Sequence, residues 1–426
     1  MNRLFPVLTA LCLCIPALSV VSAGPQSPLL QSTSGSKVQA VIDQITPQLL
    51  TTYLTYLTGL GSRATGTYGC QLAGAYIAQK FTQDSLNVRL LNFTARGNTY
   101  IPRIYTASDI EGSLPGNDAN DSSILIFNAH YDCSWKSAGG NDDGSGTAAV
   151  LACAYALSQF SFNRTICLVT FAGEEQGLLG SRAYAKDALI RGDDILLEIN
   201  ADMIGHAVTA TGAHSGDLSV TEDAGFGADA FHAVNTAYIG FTLTDRQYNH
   251  SQSHWGGSDY GPFVNDGWES IACWEADGDP NMHTPADNYS NVNIPYLVNY
   301  TKLIAGTLAT LADTNVVPPQ VRLVSPRPGT LSVHGRYLKD IDERKTTCIN
   351  DVWIYAEVFH PSSPVTHVDF YMDGRLKLND TEAPYVWHLA TRSIRTHTIT
   401  IIAYDTQGHT TRTTREIRYI NLLLRK

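Results

Sequence analysis

The stretch HYDCSWKSAGGNDDGSG, residues 130–146, places an imidazole and several carboxylates in one short segment. It follows the apolar run SSILIFNA, which predicts a buried strand. His130 and Asp132 are two positions apart, so an extended backbone puts both side chains on the same side. A glycine-rich turn then delivers Asp142 and Asp143 before a helix of small residues. This density of imidazole and carboxylate groups at a strand end indicates a metal site, and a solvated turn with a helix-capping aspartate is the alternative.

Further residues of ligand type lie at other predicted strand ends or in a later loop: Glu175, Asp202 and His283. Taken singly, each has an ordinary explanation, such as a helix-capping aspartate or a solvated glutamate. Together with His130 and Asp142 they provide two imidazoles and three carboxylates. This is the ligand mix for two zinc-like ions that share one bridging carboxylate.

The elements that would carry these residues alternate between strands and helices. Strands are predicted at 163–172, 194–203 and 269–276, with helices between them and chemistry at their C-terminal ends. This pattern predicts an α/β domain over residues 37–315, with a mainly parallel mixed sheet flanked by helices. The loops of 205–265 follow no interpretable pattern.

The composition changes after residue 315. A proline-rich linker leads into short alternating strands, with turn signals such as Asp373-Gly374 between them. This spacing predicts an all-β sandwich over residues 316–426, and the pattern resembles the immunoglobulin-like domains appended to many secreted enzymes. Its histidines show no ligand spacing and are interpreted as surface or packing residues. Contact with polysaccharide or cell envelope and a stabilising role are both open for this domain.

The first 23 residues are typical of a signal peptide, with Arg3, an apolar run and a small-residue cleavage site. Pro6 and Pro16 break the apolar run, which favours a signal peptide over a transmembrane anchor. Residues 24–36 are rich in Ser, Pro and Gly and predict a flexible mature N-terminus. The protein is therefore expected to be secreted and not transmembrane.

Charge and cysteine content limit the function classes further. The formal net charge is -11 and only 16% of the residues are charged, so no basic surface for nucleic acid is expected. Six cysteines remain after cleavage of the signal peptide, scattered and without a C-x-x-C pair. Their number permits disulfides in a secreted chain, and their apolar surroundings also suit buried thiols.

The motifs HYD, GGNDDGSG, AGEEQGLLGSRAYA, NADM and MHTPAD occur in one order and spacing. In this they resemble the co-catalytic zinc aminopeptidases of peptidase family M28, over about residues 37–313. SRATGT and SDYGPF are also similar to that family. The resemblance implies two Zn²⁺ ions with five protein ligands: His130 and Asp202 on one ion, Glu175 and His283 on the other, and Asp142 bridging both.

The resemblance also implies roles for residues that bind no metal. Glu174 would be the general base that takes a proton from a metal-bridging water, whose hydroxide is the nucleophile, and passes it to the departing amine. Asp132 would hydrogen-bond to His130 and fix which ring nitrogen faces the metal. Family members carry a cis peptide after the bridging aspartate, which implies one at Asp142–Asp143.

The function implied is hydrolysis of the N-terminal residue from peptides that have a free N-terminus. A glutaminyl-peptide cyclotransferase, with nearly the same ligands and one zinc ion, is the alternative within the fold. Met282 speaks against it, because cyclases tend to have tryptophan before the last histidine. The alternative that is not an enzyme is a non-catalytic binding protein. The presence of all five expected ligands and of Glu174 argues against this alternative. Cys133 and Asn141 depart from the residues usual in the family, but neither departure removes a ligand.

Overall fold

The computed structural model describes residues 35–98, 103–248, 257–314, 319–341, 345–359 and 363–422. Their buried apolar residues form separate cores in an α/β part and in a C-terminal all-β part. The predicted signal peptide and residues 24–34 lie outside the described residues. The predicted flexible N-terminus is wrong for its last two residues, Gly35 and Ser36, because they already belong to the first helix.

The α/β part alternates helices and strands in the predicted way. Its described helices are α1 Gly35–Gln44, α2 Pro47–Gly59, α3 Tyr68–Gln83, α4 Gly144–Leu157, α5 Leu179–Arg191, α6 Gly225–Val234, α7 Tyr260–Asp266 and α8 Ile294–Asp313. Its described strands are β1 Asn87–Arg96, β2 Ile104–Leu114, β3 Ile124–His130, β4 Thr165–Phe171, β5 Ile195–Ala201, β6 Ser215–Thr221, β7 Thr242–Tyr248 and β8 Ser270–Glu275.

The eight described strands of this part form one mixed sheet in the order β1-β2-β4-β3-β5-β8-β6-β7. The central strands β4, β3, β5 and β8 run parallel to one another, and β1 and β2 are antiparallel at one edge. Strand β6 is antiparallel to β8 and pairs in parallel with β7. The predicted fold class is confirmed. Because four parallel strands end at the same edge, the segments that follow them converge there.

Two helices frame the short segment between residues 60 and 67. Helix α2 ends before this segment. The start of α2 is capped by Thr46, whose side chain accepts a hydrogen bond from the Leu49 backbone N–H, and Pro47 is the first helical residue. Helix α3 starts after it, and Thr67 caps that start by accepting from Cys70 N–H. The intervening segment is thereby held close to the loop that follows β3.

The structure differs from the predicted elements at the sheet edges. The stretch TYIPRIYTA, residues 99–107, predicts a strand, but β2 lies at 104–114; residues 99–102 are outside the described residues. Strand β2 continues through Gly112, where a Cβ would come within 2.7 Å of Phe81 and Leu86. Strands β6 and β7 and helix α7 were not predicted. Strand β7, TLTDRQY, is a mostly polar edge strand and therefore has no hydrophobic alternation.

The C-terminal part consists of ten described strands: β9 Gln320–Ser325, β10 Thr330–Val333, β11 Arg336–Asp340, β12 Thr346–Ile349, β13 Val352–Phe359, β14 Val365–Met372, β15 Arg375–Asp380, β16 Tyr385–Leu389, β17 Ser393–Asp405 and β18 Thr410–Asn421. They form a seven-stranded sheet, β11-β10-β12-β18-β17-β14-β15, and a three-stranded sheet, β16-β13-β9. Both sheets contribute to one apolar core, as the predicted sandwich requires. Strands β10, β11, β12 and β15 were not predicted.

All six cysteines outside the predicted signal peptide are buried free thiols. Among the described helices, none combines the length and the apolar character needed to cross a membrane.

Candidate metal centre

The converging strand ends deliver each predicted ligand from a different segment. His130 is the last residue of β3, Asp142 lies in the loop before α4, and Asp202 follows β5 directly. Glu175 comes four residues after β4, and His283 lies in the loop after β8. The structure thus brings together all five predicted ligands, and their role in binding metal stays a prediction at this point.

The five side chains form two groups that share Asp142. In one group, His130 Nε2 lies 3.3 Å from Asp142 Oδ1 and 3.6 Å from Asp202 Oδ1. In the other group, His283 Nε2 lies 3.0 Å from Asp142 Oδ2 and 3.1 Å from Glu175 Oε2. Each oxygen of the Asp142 carboxylate therefore faces a different group, as a bridging ligand requires.

These separations fit zinc. Four ligands at 2.0–2.1 Å around a tetrahedral Zn²⁺ are about 3.3 Å apart. The distances between ligand atoms, 3.0–3.6 Å, lie around that value. Two atoms of the groups, His130 Nε2 and Glu175 Oε1, are also buried and have no hydrogen-bond partner among the residues that the structure describes. Imidazole nitrogens with carboxylate oxygens are a donor set that zinc accepts, so the residues fit the ion.

The two acids of the NDD sequence have different roles. Asp143 caps α4, because its Oδ1 accepts from the Gly146 N–H at 2.9 Å. Its Oδ2 accepts from the His130 N–H at 3.2 Å, which ties the end of β3 to the start of the helix. The predicted cis peptide at Asp142–Asp143 is confirmed.

Asp132 contacts the metal-centre residues differently from the prediction. The nearest acceptor to His130 Nδ1 is the Asp132 backbone carbonyl at 3.2 Å, whereas the Asp132 carboxylate is 3.6 Å away. That carboxylate accepts instead from Thr65 Oγ1 at 2.9 Å and from the Glu174 N–H at 3.3 Å. Asp132 therefore holds the His130 ring through its backbone and the backbone of Glu174 through its side chain.

Burial and like charges dominate the electrostatics of the centre. Burial raises the pKa of Glu174 well above its ordinary value, the His130 ring opposes this shift, and the Asp202 carboxylate adds to it. Burial disfavours the charged form of His130, yet the surrounding carboxylates, Asp202 foremost, raise its pKa well above the usual range. Hydrogen bonds to Asp142 and Glu175 raise the pKa of His283 to about 10. The carboxylates thus attract positive charge into the centre.

The two groups differ in exposure. The His130 side chain is 1% exposed, whereas the His283 side chain is 51% exposed. Met282 beside it is also exposed. The centre is therefore open to solvent on the side of His283 and closed on the side of His130.

The prediction missed the side chains that fix the Asp142 loop. Asp287 is buried, accepts from the Asn141 N–H at 2.6 Å and from Ser137 Oγ at 2.9 Å, and so ties this loop to the loop of His283. Asn141 donates its side-chain amide to Glu275 at 2.9 Å. The acid in MHTPAD lies four residues after a ligand-type histidine, and this spacing was the available signal for Asp287.

Comparison with known families agrees with this architecture. Residues 109–308 match peptidase family M28, and residues 319–401 match the bacterial Ig domain family. The chain therefore carries a peptidase family M28 domain followed by a bacterial Ig domain, and the predicted family resemblance is confirmed.

Similar proteins include a leupeptin-inactivating enzyme of Streptomyces exfoliatus, 26% identical over 61% of this chain and 59% of the relative. The chain spans about half the length of the curated relatives it matches. Two solved structures share the fold. An aminopeptidase from Aneurinibacillus sp. strain AM-1 has a TM-score of 0.54 at 16% identity, over 64% of this chain and 95% of that one. The Porphyromonas gingivalis glutaminyl cyclase has a TM-score of 0.53 at 15% identity, over 62% of this chain and 98% of that one.

Proposed function

We propose that this protein is a secreted zinc aminopeptidase with two zinc ions, which hydrolyses the N-terminal residue from peptides. The observation that carries the proposal is the pair of ligand groups that share Asp142. His130 and Asp202 would hold one ion, and Glu175 and His283 the other. Zinc bound by these residues would act as a Lewis acid on the scissile carbonyl and provide a cation for the free amine of the substrate.

Glu174 is the proposed general base. It precedes the ligand Glu175 and is held by the hydrogen bond from its N–H to Asp132 Oδ1 at 3.3 Å. As the water oxygen bonds to the carbonyl carbon, Glu174 takes the water proton and passes it to the departing nitrogen when the C–N bond breaks. Burial, which raises the pKa of Glu174, favours the protonated carboxyl in which it holds that proton.

Substrate would enter from the side of His283. Half of this side chain is exposed, whereas His130, Asp132 and Asp202 are buried. A peptide placed there meets His283 and the two carboxylates beside it, Asp142 and Glu175, and Glu174 directly precedes Glu175 in sequence. An exposed entrance at one face suits removal of a terminal residue from an extended peptide chain.

The test is release of p-nitroaniline from aminoacyl-p-nitroanilides by the purified full chain. We expect activity that is lost on treatment with a zinc chelator and returns when zinc is added back. Activity that is unaffected by removal of all bound zinc contradicts the proposal. A protein that binds zinc and peptide but cleaves none of a panel of aminoacyl-p-nitroanilides is the non-catalytic binding protein instead.

The fold shared with the glutaminyl cyclase gives the second candidate, a glutaminyl-peptide cyclotransferase. The two reactions leave different products from a peptide with an N-terminal glutamine. The aminopeptidase releases free glutamine, whereas the cyclase releases ammonia and leaves a pyroglutamyl peptide of the original residue count. Mass spectrometry of the products therefore separates the candidates, and we expect free glutamine.

Secretion is proposed from the sequence of residues 1–23. N-terminal sequencing of protein recovered outside the producing cells should begin at Gly24. Contact of the Ig domain with polysaccharide or cell envelope is proposed from the sequence pattern and from the exposed ring of Trp353, which stacks on His388 with ring centroids 4.2 Å apart. Sedimentation with insoluble polysaccharide, compared with the Trp353→Ala variant, tests it.

A further inference from the structure

Arg63 is a charged side chain buried completely beneath the metal centre. It lies in the segment between α2 and α3. Its guanidinium donates from Nε to the Tyr131 carbonyl at 2.9 Å and from one terminal nitrogen to the Gly139 carbonyl at 3.0 Å. The other terminal nitrogen donates to the Ala138 carbonyl at 2.5 Å. These three acceptors belong to the loop between the proposed ligands His130 and Asp142, and a longer hydrogen bond of 3.4 Å reaches the Leu57 carbonyl in α2.

These acceptors come from both ends of that loop. Tyr131 directly follows His130, and Gly139 comes three residues before Asp142. A guanidinium is planar and presents its donors in a rigid fork, so one side chain fixes the two ends relative to each other. The fit is close, because a Cβ on Gly139 would lie 2.7 Å from the Arg63 terminal nitrogen and 2.5 Å from Cys133 Cβ. The Arg63 backbone N–H adds a contact to Cys133 Sγ at 3.0 Å.

The guanidinium of Arg63 has backbone carbonyl oxygens as its hydrogen-bond acceptors. Within the described residues, no carboxylate is its hydrogen-bond or ion-pair partner. The nearby Cys70 thiol lies within the influence of both charges: burial raises its pKa most, the Asp132 carboxylate adds to the rise, and Arg63 opposes it. A buried cation is expensive without compensation. The carbonyl oxygens of Tyr131, Ala138 and Gly139 supply hydrogen-bond acceptors for it, so the buried guanidinium and the fold of this loop depend on each other.

We propose that Arg63 is a positioning residue for zinc: it closes the loop of residues 131–139 and thereby sets the distance between His130 and Asp142. The inference rests on the proposed function. Arg63→Lys keeps a positive charge but removes the fork, so the loop ends lose their common donor. We expect the dissociation constant for zinc to rise by about 10- to 100-fold, as for other residues that orient metal ligands.

Arg164 provides a matched control. It too is buried and donates to backbone carbonyls, those of Leu311 and Thr314, but at the opposite end of the central strands, before β4 begins. Its Nε also pairs with Asp121 at 2.9 Å. Arg164→Lys therefore costs buried hydrogen bonds without touching the loop that carries the ligands. A purely structural role for Arg63 predicts that both variants behave alike.

The experiment measures zinc affinity by competition with a chromogenic chelator, in the full chain, for wild type, R63K and R164K. We expect both variants to lower the Tm, and only R63K to raise the zinc dissociation constant. Equal constants in R63K and wild type, or an equal rise in both variants, overturn the role of Arg63. A wild type that binds no zinc instead refutes the metal centre itself.

A variant that is partly unfolded is still informative. Zinc that binds only the folded state stabilises that state, so a variant with weaker zinc affinity needs a higher zinc concentration to refold. The zinc concentration that restores the near-ultraviolet circular dichroism then replaces the dissociation constant. We expect R63K to need at least about tenfold more zinc than R164K. The same requirement in both variants overturns the proposal.

Discussion

Histidine–aspartate pairs occur in both parts of the molecule, but they differ in burial and in charge balance. In the α/β part, His130 is 1% exposed and faces the carboxylates of both Asp142 and Asp202. In the β part, one carboxylate, Asp351, serves two imidazoles, His334 at 2.8 Å and His388 at 3.0 Å, and the His334 side chain is 52% exposed.

The difference in burial affects the pKa values of the carboxyl groups. Hydrogen bonds from His334 and His388 lower the pKa of Asp351 to about 2. In the α/β part, burial raises the pKa of Glu198 to about 8, although Ser270 and Asn128 donate hydrogen bonds that oppose the shift. Glu198 lies outside the two ligand groups. Within them, burial raises the pKa of Glu175 although a hydrogen bond from His283 opposes the shift, whereas the burial of Asp142 is outweighed by hydrogen bonds from His130 and His283, which lower its pKa. Histidine and carboxylate groups therefore form an exposed cluster in one part and a buried, carboxylate-rich centre in the other. An excess of buried carboxylates, more than the presence of histidine, distinguishes a metal site.

The largest expected effect is on catalysis. Glu174→Gln removes the proposed proton acceptor and keeps the volume, so kcat should fall by about 10²- to 10⁴-fold. Zinc content should stay at two ions per chain, because Glu174 is not a proposed ligand. Steady-state kinetics with an aminoacyl-p-nitroanilide and metal analysis of the same sample check both parts. Activity close to that of wild type would refute the role of Glu174.

Next in size is the effect on zinc content. His283→Ala removes a ligand from the exposed group, and we expect one zinc ion to remain per chain under conditions in which wild type holds two. His334→Ala, which removes an equally exposed imidazole from the β part, should leave two. Metal analysis after gel filtration measures this directly. Loss of zinc in the His334 variant would break the distinction between the two parts.

A smaller effect is expected on pH-dependent stability. Below its unfolded pKa, near the ordinary 4.5, Glu198 is protonated in both states. Between this value and about 8 the folded protein keeps a proton that the unfolded chain has lost, so stability declines as the pH rises. Gln resembles the protonated acid, so Glu198→Gln should raise the Tm at pH 8 more than at pH 5. A Tm difference that does not change with pH contradicts the raised pKa.

The smallest effect is on the stability of the β part, which should decrease as the pH falls, whereas the effect of Glu198 appears as the pH rises. Because the pKa of Asp351 is lowered from 3.8 to about 2, its contribution to stability is present above pH 3.8 and is lost as the pH falls toward 2. Asp351→Asn should therefore lower the Tm of the β part slightly at pH 6 and leave it unchanged at pH 2. Thermal unfolding followed by circular dichroism at both values checks this. An equal decrease at both pH values would show that charge is not involved.

Much of the fold and of the candidate metal centre was predictable, because the ligand-type residues lie at the ends of segments whose hydrophobic pattern predicts strands. The proposed ligands His130 and Asp202 lie at the ends of apolar strands whose composition marks them as central and parallel. Asp142 was predictable because a glycine-rich turn precedes a helix of small residues. The other proposed ligands, Glu175 and His283, were predicted from motifs that resemble those of the family.

Other features depend on tertiary contacts that leave no pattern in the sequence. Arg63 lies in the segment SRATGT, whose similarity to the family did not indicate that this side chain is buried; the approach of the Tyr131 and Gly139 carbonyls makes it so. Strand β6, SGDLSVT, contains glycine and polar residues, so pairing with β8 and not propensity makes it a strand. Strand β2 likewise extends beyond its apolar residues because β4 provides hydrogen bonds for its backbone.

The most direct test of the central claim is anomalous X-ray diffraction at the zinc edge from crystals of the full chain grown with zinc. We predict two peaks on either side of the Asp142 carboxylate, about 3.5–4 Å apart. One peak should lie between His130 and Asp202, and the other between Glu175 and His283. No peak at Asp142 in zinc-saturated crystals, or ordered zinc only at the histidines of the β part, would contradict the account.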